Sequence, residues 1–194
     1  MQTECHARQL SQDGKTMDKF DHAKYQQLLD AKSIKLKSPL ESGGLAYLEK
    51  VAEPSIPSQL VEMLKFGDGQ SRHDGPPLFG GEFLESSKDI AGWITWHHEE
   101  EQGDKLSDCY SNCPYVQQGK LWRTDWIPII YGPGGVFLYL DCAPSKLGSY
   151  GQVILSSVDT GKCGVIAKDL NELVALALAR EELITSWPLK QKPV

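Results

Sequence analysis

Residues 135–141, Gly-Val-Phe-Leu-Tyr-Leu-Asp, constrain this chain more than any other stretch. In an extended strand Val136, Leu138 and Leu140 project to one side, and Phe137 and Tyr139 to the other. Both sides are apolar, so both need cover from water. Such a strand belongs in the middle of a sheet with packed material on its two faces. Asp141 ends the apolar run. Its place before Cys-Ala-Pro-Ser predicts a turn cap, with side-chain oxygens taking backbone N–H groups.

The flanking segments supply the neighbours. Residues 126–131, Trp-Ile-Pro-Ile-Ile-Tyr, read as a strand. Pro128 has no N–H to give a ladder, which puts it at an edge or beside a bulge. Gly132-Pro133-Gly134-Gly135 reads as a hairpin turn. A phosphate cradle would open a helix and end in Lys-Ser/Thr, and this turn opens a strand. Residues 151–158 and 163–168 read as two more strands, joined by the hairpin signal Asp159-Thr160-Gly161-Lys162. The run 76–84, Pro-Pro-Leu-Phe-Gly-Gly-Glu-Phe-Leu, reads as a further strand with a bulge or bend.

Helical spacing dominates elsewhere. Met17 to Ala31 predicts a helix capped by Asp18, with Phe20, Ala23, Gln27 and Leu28 on one face. Two short helices follow, marked by Leu45, Leu48 and Val51, then by Leu60, Val61 and Leu64. Pro54 stops the first, Pro57 sits in the first turn of the second, and Gly67 and Gly69 close it. Ile90, Trp93, Ile94 and His97 form another stripe, with Ser86 or Ser87 as N-cap. A last helix runs over 169–187, with Asp169 and Glu172 at capping-box spacing and Leu170, Leu173, Val174, Ala177 and Leu178 inward. Helices, then consecutive strands, then a helix give an α+β fold. The expected architecture is a single domain with a central, mainly antiparallel or mixed sheet and helices packed around it. Residues 1–16 read as a mobile arm, 17–41 as a helix and connector, 42–187 as the main α+β domain and 188–194 as a tail.

The formal net charge of -6 advertises no basic stripe, so nucleic acid is not an expected partner. An acidic surface suits a basic protein partner instead. No run of roughly 18 apolar residues suggests a membrane span, and the first residues contain no apolar signal core. A cytoplasmic location is expected. Five cysteines at irregular spacings form no disulfide framework and fit reduced thiols.

Signals of chemistry are sparse. No Ser-His-Asp order, nucleophile elbow or catalytic-cysteine signature is present, so no catalytic residue is expected. His97 and His98 diverge by about 100° on a helix and do not share an ion easily. Cys109 and Cys113 lack a second pair at zinc-ribbon distance. A site built from His97, Cys109 and Cys113 is the one metal arrangement the spacing allows. No metal or cofactor is expected. The candidate partner-binding residues are Trp96, Glu99, Glu100, Glu101 and Asp104, an aromatic anchor beside an acidic run.

Three blocks together resemble the SUKH superfamily. The first is residues 42–70, where Ile56-Pro57 stands for the family's Leu-Pro and Asp68-Gly69 for its Asn/Asp-Gly pair. The second is Trp126 to Asp141, a Trp-Ile-Pro block, a glycine turn and an apolar strand ending in Asp. The third is Gly151-Gln152-Val153, a hairpin and a final helix. On this resemblance Pro57, Asp68, Gly69, Trp126, Pro128, Gly135, Asp141, Gly151 and Gln152 are family-motif residues, mainly structural. Many members continue Asp-x-Asp-Pro after the central strand, and Cys142 and Ala143 depart from that. The superfamily groups fungal cell-wall assembly regulators with bacterial immunity proteins. It implies no catalysis and a binding role. The expected function is an immunity protein that neutralises a cognate toxin domain, often a nuclease, by stoichiometric binding. The alternative is an intracellular regulatory scaffold of the cell-wall regulator type.

Overall fold

A computed structural model describes residues 18–52, 56–71, 76–78, 83–102 (backbone alone at 101 and 102), 113–117, 123–132, 135–157 and 161–179. Among them the chain forms five α-helices and one four-stranded sheet. The helices are α1 His22–Ala31, α2 Ser42–Val51, α3 Ser58–Phe66, α4 Ser87–Gln102 and α5 Leu170–Ala179. The strands are β1 Trp126–Gly132, β2 Val136–Asp141, β3 Gln152–Ser157 and β4 Lys162–Ala167. They pair in the order β1-β2-β3-β4, all antiparallel, so the expected α+β architecture holds.

β2 lies inside the sheet, and its two sides feed two apolar clusters. Val136, Leu138 and Leu140 join the larger one with Leu28, Leu48, Leu60, Leu64, Leu173 and Val174 of the helices. Phe137 and Tyr139 join the smaller one with Trp126, Ile154, Cys113, Val116 and Cys163. Helix α4 contributes to both. Ile90, Ala91 and Ile94 enter the larger cluster, while Trp93 and Trp96 pack against the smaller.

Pro128 sits on the edge strand and beside a bulge. The register steps from Pro128 opposite Tyr139 to Ile130 opposite Leu138, leaving Ile129 without a partner on β2. The Ile129 carbonyl turns outward and accepts Glu85 N–H at 3.0 Å. The strand expected over 76–84 is therefore reduced, in its described part, to one bridge between Leu84 and Ile130. The bulge breaks the edge that a longer ladder would need, and the Leu84 carbonyl is already taken by Gln70 N–H at 2.9 Å. Residues 79–82 lie outside the described residues, as do turn residues 133–134 and 158–160. Both hairpins they close are formed, and Gly135 and Gly161 have φ of 65° and 61°, which glycine adopts without strain.

Three helices differ from expectation in detail. α1 starts at His22, with Asp21 rather than Asp18 as cap: its side chain accepts Lys24 N–H at 3.0 Å. Its inward residues are Tyr25, Leu28 and Leu29, while Ala23 and Gln27 are exposed. Phe20 is buried just before the helix, where it meets Tyr25 edge-on. Pro57 occupies the N-cap position of α3, at φ -55° and ψ 131°, rather than its first turn. On α5, Asp169 accepts Glu172 N–H at 2.8 Å, but Glu172 reaches back to Lys168 N–H at 2.6 Å instead of to Asp169. The part of this helix expected beyond Ala179, the arm 1–16 and the tail 188–194 lie outside the described residues.

Candidate partner-binding site

The candidate site begins with the start of α4, because that fixes where the helix points. Ser86 and Asp89 cap it reciprocally. Asp89 N–H donates to Ser86 Oγ at 3.3 Å, and Ser86 N–H and Oγ–H donate back to the Asp89 carboxylate at 3.4 and 2.6 Å. A second carboxylate arrives from the end of α3. Asp68 accepts Ser87 N–H at 2.7 Å and Ser87 Oγ–H at 2.9 Å. Gly69, at φ 77°, brings this corner close; a Cβ there would lie 2.6 Å from Ser86 N. The pair Asp68-Gly69 thus sets the start of α4.

Farther along, α4 turns aromatic and then acidic. His97 is buried between the helix and β2, with Nε2 3.4 Å from Tyr139 Oη. Burial, and then the charge of His98, bring its pKa down to about 4, so the ring is neutral near pH 7. Trp96 is half-buried and meets Trp93 edge-on at 5.8 Å. Trp93 packs on Tyr131 at 4.7 Å, and Tyr131 on Phe137 at 4.8 Å. Tyr131 is 37% exposed, so this aromatic row runs from the smaller cluster to the surface at the edge strand. Trp96, Glu99 and Glu100 stand at i, i+3 and i+4, on one side of the helix. Glu99 is exposed and Glu100 half-buried. Glu101 lies on the same helix, and Asp104 lies outside the described residues. The structure thus groups Trp96, Glu99 and Glu100. It adds Trp93, which the helical stripe assigns to the core, and Tyr131, which the apolar pattern of residues 126–131 does not mark as surface. The one sequence signal for Tyr131 is its position next to the glycine turn.

Trp126, Asp141, Gly151 and Gln152 meet at the far end of β2, around Asp141. Asp141 is buried in register with Trp126 on one side and Gln152 on the other. Its Oδ1 accepts Ala143 N–H at 3.1 Å, as expected of a turn cap, and its Oδ2 accepts the Gln152 amide at 2.9 Å. The same Gln152 nitrogen donates to the Tyr115 carbonyl at 2.9 Å, and Gln152 Oε1 accepts Ser149 N–H at 3.1 Å. Gly151, at φ 77°, donates its N–H to the Asp141 carbonyl at 2.8 Å. Trp126 is buried under the guanidinium of Arg123, 5.7 Å from its ring centroid, and Arg123 pairs with Asp125. Burial pushes Asp141 up to about 6, against the hydrogen bonds from Gln152 and Ala143. This group is a polar knot within the fold.

Among the described residues no three His, Cys, Asp or Glu side chains come together as a metal site would require. Cys113 is a buried thiol in the smaller cluster, and Cys109 lies outside the described residues. Among the described residues no helix is long and apolar enough to cross a membrane.

The model of the SMI1 / KNR4 family (SUKH-1) matches residues 45–176. A search of curated proteins finds no match.

Proposed function

The chain belongs to the SMI1 / KNR4 family (SUKH-1), and on that footing we propose that it is a non-catalytic immunity protein. It neutralises a cognate toxin domain, of the nuclease kind, by stoichiometric binding in the cytoplasm. The family membership carries this reading. The C-terminal half of α4 supports it with a surface suited to a basic partner: Trp96 as anchor, Trp93 and, from β1, Tyr131 extending the aromatic row, and Glu99 and Glu100 as acidic rim, an acidic run that the sequence continues with Glu101 and Asp104. Negative charge speeds encounter with a basic surface and competes with a phosphate backbone for it. Aromatic residues then supply contact area at low entropic cost.

The test is neutralisation. On this reading the toxin domain is sought as the C-terminal domain of a secreted protein encoded by an adjacent gene. Its activity is assayed while this protein is added in increasing amounts. Activity falling to zero at a fixed molar ratio is the expected result. Activity unchanged at a large excess contradicts immunity, and a search for cellular partners of a regulatory scaffold then follows.

A further inference from the structure

The C-terminal end of α4 carries negative charge that the fold does not neutralise. Its last turn has no basic residue, and the helix dipole adds a partial negative charge there. Among the described residues Glu99 and Glu100 make no ion pair, whereas Asp21, Glu62 and Asp89 each meet a lysine. Helical side chains lean toward the N-terminus, so both carboxylates reach back over the turn that carries Trp96. Trp96 is half-buried, with Trp93 edge-on and His97 tilted beside it, and part of its side chain is open to solvent.

Elsewhere the molecule holds a filled example of an indole beside a carboxylate. Arg123 lies 5.7 Å over the Trp126 ring, while its Nε–H donates to Asp125 Oδ1 at 2.7 Å and its Nη2–H to Asp125 Oδ2. A planar guanidinium engages ring and carboxylate at once, which a compact ammonium does not. At Trp126 the carboxylate belongs to the preceding residue. At Trp96 helical spacing supplies it from three and four positions on. We propose that Trp96, Glu99 and Glu100 form a receptor for an arginine side chain of the partner, selective for arginine over lysine. The guanidinium lies against the open part of the indole and directs its N–H groups to the two carboxylates. The inference rests on the proposed function only in taking this surface as the one a protein partner meets.

The probes are acetylated hexa-arginine amide and hexa-lysine amide, titrated separately into the full chain. Calorimetry gives the affinities, and the Trp96 indole N–H signal in NMR locates the contact. Hexa-arginine is expected to bind about fivefold more tightly than hexa-lysine and to shift that signal. Trp96→Leu keeps an apolar side chain in place and should bring the two affinities together. Replacing Glu99 and Glu100 by glutamine should weaken both peptides. The same change at Glu41 and Glu49, which are exposed and make no ion pair among the described residues, removes equal charge and should leave both near wild type. The proposal is overturned by equal affinities in wild type, by selectivity that survives in W96L, or by equal weakening in the two double variants. Arginine selectivity in a protein that neutralises no toxin supports this inference and contradicts immunity. Neutralisation without arginine selectivity does the reverse.

Discussion

The Gln59 side-chain oxygen accepts the backbone N–H of Leu170 at 3.0 Å, although 111 residues separate the two. The same amide donates to the Asp18 carbonyl at 2.8 Å, so one buried side chain joins the N-terminal segment, α3 and the first turn of α5. Asn171 completes the seam, taking Asp21 N–H at 2.8 Å and donating to the Lys19 carbonyl at 2.9 Å. α1 lies N-terminal to the family match and still contributes Tyr25, Leu28 and Leu29 to the larger core.

Gln59→Ala should destabilise the fold by about 1–3 kcal/mol, because it strips a partner from a buried N–H and from a backbone carbonyl. Urea unfolding followed by tryptophan fluorescence checks this. A midpoint equal to that of wild type would show that water replaces the amide without loss.

Asp68→Ala should cost about 1–2 kcal/mol, the value of a helix cap, since it releases both Ser87 N–H and Ser87 Oγ–H. Gly69→Ala should cost more than that range, because positive φ and the Ser86 backbone both oppose a Cβ. Thermal unfolding of the two variants should rank them in that order.

Two buried groups give opposing pH dependences. His97 titrates at about 4 in the fold against 6.5 when unfolded. Its depressed pKa makes stability fall as pH drops from about 6.5 to 4, where the unfolded chain binds the extra proton. Asp141 titrates at about 6 in the fold against 3.8 unfolded. Its raised pKa makes stability rise as pH drops from about 6 to 4, where the folded chain binds the extra proton. The two slopes oppose each other across most of this window. Asp141→Asn should expose the His97 slope, so that stability falls on acidification more steeply than in wild type. His97→Gln should expose the opposite slope. Unfolding free energies measured at several pH values decide this. Parallel profiles for wild type and both variants would contradict it.

Replacing Glu99, Glu100 and Glu101 together by glutamine should slow association with the proposed toxin domain by about two- to tenfold and flatten its salt dependence, while changing dissociation little. Stopped-flow mixing at two ionic strengths separates the rates. Unchanged association would remove the acidic run from the site. Trp96→Ala should act the other way, mainly accelerating dissociation.

Much of the fold is legible in single residues. Alternate positions of β2 go to the two clusters as their apolar character requires, and Pro128 finds the bulge its missing N–H demands. Asp141 is recognisable as a cap from its turn. Its pairing with Gln152 is not, because that depends on the register between two strands, although counting back from the hairpin offers a signal. The inward face of α1 is misread for a similar reason. Tyr25 is inward because Phe20 and, from the end of α3, Phe66 pack on it, and no local pattern states that. The polar joints Gln59–Leu170 and Asp68–Ser87 link distant segments through ordinary residue types and leave no trace in spacing. The candidate site is legible as composition, an aromatic beside acids. The placement of Trp96, Glu99 and Glu100 on one side of α4 emerges from the helix, and the contribution of Tyr131 from the sheet edge.

The most direct measurement is a calorimetric titration of this protein against the proposed toxin domain, the C-terminal domain of a secreted protein encoded by an adjacent gene, at low and at high salt. The account predicts saturable binding with a fixed stoichiometry, weakened by salt. Absence of binding at both salt concentrations would contradict it.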